Sequence, residues 1–191
     1  MSDLVTLTWE SAPHEARDAW HRVAEARMPD FHANRKKEWA LARLCLAQCF
    51  EKHGITLDPV QAVFKNHHEV THQPAWRFSL THSKDVAGAW LMPAALVRGL
   101  GVDVELSNRK VPPQVKARLS HKQDTQLNDL ELWTLKEAAF KALPTLAQTD
   151  IWLNRIIVHE KKFELENSPF KGFWSLEKTT ALTIARAWLN P

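Results

Sequence analysis

Two short stretches hold residues whose types and spacing could do chemistry. The first is Leu100-Gly101-Val102-Asp103-Val104-Glu105-Leu106. Its alternation predicts a strand with Leu100, Val102, Val104 and Leu106 on one face and Gly101, Asp103 and Glu105 on the other. Strand residues two apart are separated by roughly 6.6 Å along the chain, so both carboxylates can lean toward one cation. The second stretch runs from Leu130 to Lys141 and reads as a helix. It sets Glu137 and Lys141 one turn apart beside Trp133 and Phe140. A carboxylate and an amine flanked by two aromatics suit a half-buried site. The same pair taken alone is also an ordinary helix-surface ion pair, worth a few tenths of a kcal/mol.

The elements that must position these groups are readable nearby. Asn128 can cap the helix, with Glu131 three residues on completing a capping box, and Pro144 stops it. Leu132, Leu135, Ala139, Ala142 and Leu143 form the stripe for the core, with Trp133, Glu137, Phe140 and Lys141 on the opposite side.

Earlier in the chain, Leu4 to Trp9 alternates as a strand. Ser11 can cap a helix running to about Arg27, with Pro13 in its first turn. A second helix is expected from about Asn34 to His53, ended by Gly54. Its apolar residues spread beyond one stripe: Trp39, Ala42, Leu46, Cys49 and Phe50 lie together, Leu41, Leu44 and Cys45 outside. That helix should be covered on more than one side. Arg43 falls on the flank of the stripe, where an unpaired charge is costly; it needs an anion, from a carboxylate or a bound phosphate. Arg35, Lys36 and Lys37 read as a solvated basic start.

Trp76 to Thr81 predicts a strand, His82-Ser83-Lys84-Asp85 its turn, and Val86 to Leu91 the return strand of a hairpin. A polar turn offering the Thr81 hydroxyl, the His82 imidazole and backbone N–H groups is a plausible anion cradle. Pro93 to Gly99 is the candidate boundary between two halves. After Pro144, Ile151–Val158, Lys162–Glu166, Gly172–Leu176 and Ala181–Trp188 are strand candidates by their β-branched and aromatic content.

Composition bounds the function classes. The chain has 191 residues, 45% of them hydrophobic and 25% charged, enough for one domain or two small ones. A net charge of +3 falls short of a nucleic-acid binder's basic excess but favours an acidic partner. Cys45 and Cys49 are one helical turn apart in an apolar segment and read as buried thiols. The pair His68-x-x-x-His72 has neither a third ligand nor a strong helical pattern, so His67, His68 and His72 read as surface residues rather than a metal site. The first ten residues lack the basic start and apolar core of a signal peptide, and no apolar run approaches the roughly 20 residues of a membrane span. A cytoplasmic, monomeric protein is expected.

Gly101-Val102-Asp103-x-Glu105, followed by Trp133-Thr134-x-Lys136-Glu137-Ala138-x-x-Lys141, resembles the signature of the 4'-phosphopantetheinyl transferase superfamily, in its larger two-subdomain form. Arg35 to Arg43 resembles the family's N-terminal helix, and Phe78-Ser79-Leu80-Thr81-His82-Ser83 its third motif. The resemblance covers about Arg27 to Lys141. It implies an α+β fold of two similar subdomains, residues 1–98 and 99–191, each an antiparallel sheet packed on a long helix and related by a pseudo-twofold axis. It implies transfer of the phosphopantetheine arm of coenzyme A to a serine of an acidic apo carrier protein. The metal set would be Asp103, Glu105 and Glu137, holding Mg²⁺ with Mn²⁺ as an alternative; hard oxygen donors suit such ions. Asp103, Glu137 and Lys141 would be catalytic, and Arg43, Thr81, His82 and Lys141 would contact coenzyme A.

The chain departs from the family in two places. His72-Gln73-Pro74 stands where a Gly-Lys-Pro lysine is usual, which removes one cation. The stretch from 107 to 128 is shortened and lacks the family's Phe-Ser/Thr-x-x-Glu run. Ser120-His121-Lys122-Gln123-Asp124 occupies that place, so a glutamate general base cannot be transferred, and His121 or Asp124 is the substitute on offer. These departures keep a second expectation open, a catalytically silent coenzyme A or carrier-protein binding module. A metal-dependent nuclease is a third, disfavoured by the low net charge.

Overall fold

The computed structural model describes residues 3–65, 68–149 and 151–191, so His67 lies outside the described residues. The chain divides into two compact units, Met1–Pro93 and Ala94–Pro191, each built on its own apolar core. Ala94–Arg98, grouped with the first half on sequence, goes with the second unit. The architecture is mixed α/β, with antiparallel sheets and five α-helices among the described residues. Among those residues no helix is long and apolar enough to cross a membrane.

The first unit runs β1 (Asp3–Thr8), α1 (His14–Arg27), α2 (Ala33–Glu51), β2 (Phe64–Lys65), β3 (Glu69–Val70), β4 (Trp76–Ser83) and β5 (Val86–Pro93). Its main sheet has the order β1-β5-β4, antiparallel throughout. The helix α2 is apolar on several sides, with Ala40, Leu41, Ala42, Leu44, Cys45, Leu46, Cys49 and Phe50 all buried. It is accordingly packed both by α1 and by the sheet. The Cys45 and Cys49 thiols each lie 3.5 Å from a β5 carbonyl, of Ala87 and Ala89. Burial pushes both thiols up, Cys49 to about 12, which keeps them protonated and unreactive.

Two local expectations need correction here. Ser11 does not cap α1: its hydroxyl accepts from the Thr8 N–H at 2.9 Å and closes a turn onto the end of β1, leaving Pro13 at the cap position. The hairpin is also tighter than the sequence suggests. Register pairs His82 with Ala87 and Ser83 with Val86, so only Lys84-Asp85 turns, with Lys84 at φ 51. Thr81 and His82 are therefore strand residues, not members of a polar turn.

The second unit runs β6 (Gly99–Leu106), α3 (Pro113–Lys116), α4 (Asp129–Ala142), α5 (Thr145–Gln148), β7 (Ile156–His159), β8 (Lys162–Leu165), β9 (Lys171–Lys178) and β10 (Leu182–Leu189). The sheet order is β6-β10-β9-β8-β7, antiparallel. The strand expected from Ile151 begins only at Ile156, because Leu153–Arg155 winds into a 3-10 turn. The α4 capping box forms as the sequence predicts: the Asn128 side chain accepts from the Glu131 N–H, and the Glu131 side chain from the Asn128 N–H, both at 3.0 Å.

Helix α4 lies directly on β6. A Cβ placed on Gly101 would sit 1.8 Å from the Ala138 carbonyl oxygen, and one on Gly99 1.9 Å from that of Ala142. Glycine at these positions is what lets the helix backbone reach the strand. A second tie comes from Lys136, whose side chain is fully buried. Its Nζ donates to Asp124 Oδ2 at 2.7 Å and to the Leu119 carbonyl at 2.8 Å. Asp124 in turn accepts from the N–H groups of His121 and Val158. The carboxylate thus knots the 117–124 loop to α4 and β7.

Candidate functional site

The face of β6 that carries Gly101 also carries Asp103 and Glu105, and Gly101 touches α4. Both carboxylates are buried, 6% and 5% exposed. On the facing helix, Lys141 Nζ donates to Asp103 Oδ1 at 2.7 Å and to the Val102 carbonyl at 3.1 Å. Glu137, one turn earlier, accepts from the Trp133 indole N–H at 3.4 Å. Burial first, and then the charge of Asp103, raise the Glu137 carboxyl above its ordinary range; Lys141 and Trp133 oppose the rise and Glu105 adds to it. The structure therefore brings Asp103, Glu105, Glu137 and Lys141 into one electrostatic cluster.

One further member of the cluster, Arg109, is not evident from sequence spacing, and Trp133 is more deeply buried than its helix face suggests. Arg109 Nη1 donates to both oxygens of Glu105, at 2.7 and 2.6 Å, and its guanidinium lies 4.5 Å from the Trp133 ring centroid. Nothing in strand or helix periodicity announces Arg109, because β6 ends at Leu106 and a turn carries the arginine back. Helical periodicity puts Trp133 on the face away from the core, yet it is 9% exposed. It packs in the unit's core while its N–H serves Glu137. His121 and Asp124, on offer as general-base substitutes, are both engaged in hydrogen bonds of their own loop. Asp124 is held by Lys136 and two backbone N–H groups, and His121 Nδ1 accepts from the Gln123 N–H.

Whether the acidic residues fit a divalent cation can be tested on their chemistry. Among the described residues, no three His, Cys, Asp or Glu side chains already stand in metal-holding geometry; Asp103 and Glu105 face Lys141 and Arg109 instead. The donor set nevertheless fits. All three groups are hard carboxylate oxygens, and they stand close enough that Asp103 and Glu105 disfavour charge on Glu137. A small cation would relieve that mutual repulsion. A cavity of about 590 Å³ is lined by Glu137 together with Trp133, Phe140, Trp152 and Leu153, while Asp103 and Glu105 do not line it.

In the first unit, Arg43 projects from α2 with its guanidinium 3.7 Å from the Trp39 ring centroid and 4.9 Å from that of Phe64. Nη1 donates to the Trp39 carbonyl at 3.2 Å, while Nε is buried without a hydrogen-bond partner. No carboxylate lies within ion-pair distance of it among the described residues. Burial, then the charges of Arg27 and Arg35, lower its pKa to about 9. This is a cation placed where an anion would be welcome.

Thr81 is buried in β4. His82 is tied to α2: Arg35 Nη1 lies 2.6 Å from its Nε2, and Glu38 Oε2 lies 3.3 Å from its Nδ1. An arginine can only donate, so Nε2 accepts and the ring proton sits on Nδ1, facing Glu38. Arg35 is thus engaged rather than merely solvated. Gln73, in place of the usual lysine, closes a turn through its N–H to the Val70 carbonyl.

Comparison with models of protein families and with curated proteins returns no match.

Proposed function

We propose that this chain transfers the 4'-phosphopantetheine arm of coenzyme A to a serine of an acidic apo carrier protein, with Mg²⁺ as cofactor. The observation that carries the reading is the buried carboxylate cluster of Asp103, Glu105 and Glu137 with Lys141 bound to Asp103. It is built on the two blocks that resemble the transferase signature. The reading carries with it the family's pairing of like subdomains and a cytoplasmic setting. In support, each unit sets an antiparallel sheet against a long helix.

In the reaction the serine oxygen bonds to the pantetheine-side phosphorus of the pyrophosphate. The phosphoanhydride bond breaks, 3',5'-bisphosphorylated adenosine leaves, and the hydroxyl proton passes to solvent water. Asp103, Glu105 and Glu137 would hold the divalent cation, which when bound neutralises charge on the bridging and leaving oxygens. Lys141 adds a positive charge beside Asp103. Arg43, lacking a carboxylate among the described residues, would take another coenzyme A phosphate, with Thr81 and His82 as further contacts. An anion at His82 would also meet Arg35, which already touches the ring.

The test is incubation with coenzyme A, Mg²⁺ and a panel of apo carriers, read by intact mass. At least one carrier should gain one phosphopantetheine arm, and only with divalent metal present. Saturable coenzyme A binding with every carrier unmodified would replace this reading with the silent binding module.

A further inference from the structure

Arg109 brings a charge into the carboxylate cluster that the proposed reaction does not use. It sits past the end of β6, in a turn closed by its own N–H to the Leu106 carbonyl at 2.8 Å. From there it reaches back to both oxygens of Glu105 while its guanidinium rests on Trp133. Trp133 in turn donates to Glu137. One arginine therefore links the strand carboxylate to the indole that holds the helix carboxylate.

The two partners differ in burial. The Glu105 side chain is 6% exposed and that of Arg109 is 32% exposed. A buried carboxylate keeps its charge at acceptable cost only beside a counter-ion. A half-exposed arginine, by contrast, can swing out without leaving a hole in the core. A divalent cation taking Glu105 would compete for the same two oxygens.

We propose that Arg109 is the counter-ion that Glu105 exchanges for the divalent cation. Resting on Trp133, it neutralises Glu105 and holds it in place until the cation binds, and then gives the carboxylate up. Arg109 is a positioning residue, acting through Glu105. This inference rests on the metal reading of the cluster.

The experiment measures Mn²⁺ binding to the full chain by the loss of the free-ion paramagnetic resonance signal, in wild type, Arg109→Gln and Arg109→Lys. Melting is followed in chelator and at saturating Mn²⁺. Removing a competing charge should make Arg109→Gln bind Mn²⁺ roughly three- to fivefold tighter, the upper range for a partly exposed pair, while Arg109→Lys stays near wild type. Arg109→Gln should melt lower than wild type in chelator and recover at saturating Mn²⁺. A variant that folds only with Mn²⁺ would support the exchange more strongly still. Equal or weaker Mn²⁺ binding by Arg109→Gln would overturn the inference, as would a variant equally destabilised, or unfolded, with and without the ion. Wild type without saturable Mn²⁺ binding would sink the metal reading itself, a different result from a wild type that binds and a variant that binds no better.

Discussion

Glu137 shows how one residue's surroundings can be turned into a measurement. Its carboxyl is raised chiefly by burial and by Asp103, so the folded protein holds this proton more tightly than the unfolded chain. Below the ordinary carboxyl pKa both states carry the proton and its stabilising share is whole. As pH rises past that value the unfolded chain releases its proton first, and the share is lost as pH passes through the raised folded pKa. In chelator, wild-type stability should therefore fall across this window above the usual carboxylate range. Glu137→Gln should show a flatter profile and be at least as stable at neutral pH, while turnover nearly vanishes. Melting from pH 4 to 8 checks it; parallel curves for the two proteins would mean that Glu137 does not feel its neighbours. Asp103, Glu105, Glu137 and Lys141 were legible in the sequence because each stands in a local pattern, alternation or a helical turn. Arg109 was not, because its approach to Glu105 depends on a turn that no periodicity encodes. The engagement of Arg35 with His82 was equally hidden, being a contact between residues far apart in sequence.

At the scale of elements, the cluster depends on the contact between β6 and α4. Gly101, together with Gly99, permits it. A methyl group on Gly101 would fall 1.8 Å from the Ala138 carbonyl oxygen, and a backbone atom cannot rotate away as a side-chain tip can. Gly101→Ala should push strand and helix apart, costing about 3 kcal/mol, the upper end for overpacking a core. It should also lengthen the Lys141–Asp103 contact. Stability to urea and metal affinity should fall together. A variant with wild-type affinity and stability would mean that the interface is slack and that cluster geometry does not rest on it. The sequence showed most elements well: the capping box of α4, the alternation of β6 and the all-round burial of α2 all follow from short-range rules. Where it misled, a competing local contact won. Ser11 closes a turn with Thr8 instead of capping α1, and the β4–β5 ladder continues through His82 and Ser83. The burial of Lys136 could not be read locally either, because its partner Asp124 lies in a loop whose path only the packed unit defines.

For the whole molecule, two units with separate cores allow ligand-linked protection to be read in each. In the first unit Arg43 on α2 is the proposed phosphate contact; in the second, Asp103 and Glu105 on β6 and Glu137 on α4 are the proposed cation ligands. Arg43 can serve in this way because its surroundings leave it wanting an anion: half-buried, stacked on Trp39, and lowered by burial and by Arg27 and Arg35. Replacing it with Met, which still packs on the ring, removes a buried charge and so should leave the unliganded fold as stable as before or more so. Hydrogen exchange then separates the contributions. Coenzyme A in chelator should slow exchange along α2, and coenzyme A with Mg²⁺ should slow it in β6 and α4. Arg43→Met should lose the α2 effect and weaken coenzyme A binding by roughly 1.5–3 kcal/mol, the range for a charge-assisted contact. Dephospho-coenzyme A should bind the two proteins alike if Arg43 meets the 3'-phosphate. Protection confined to α4, unchanged by Arg43→Met, would take Arg43 out of the coenzyme A contacts and leave it a structural cation held by Trp39 and Phe64.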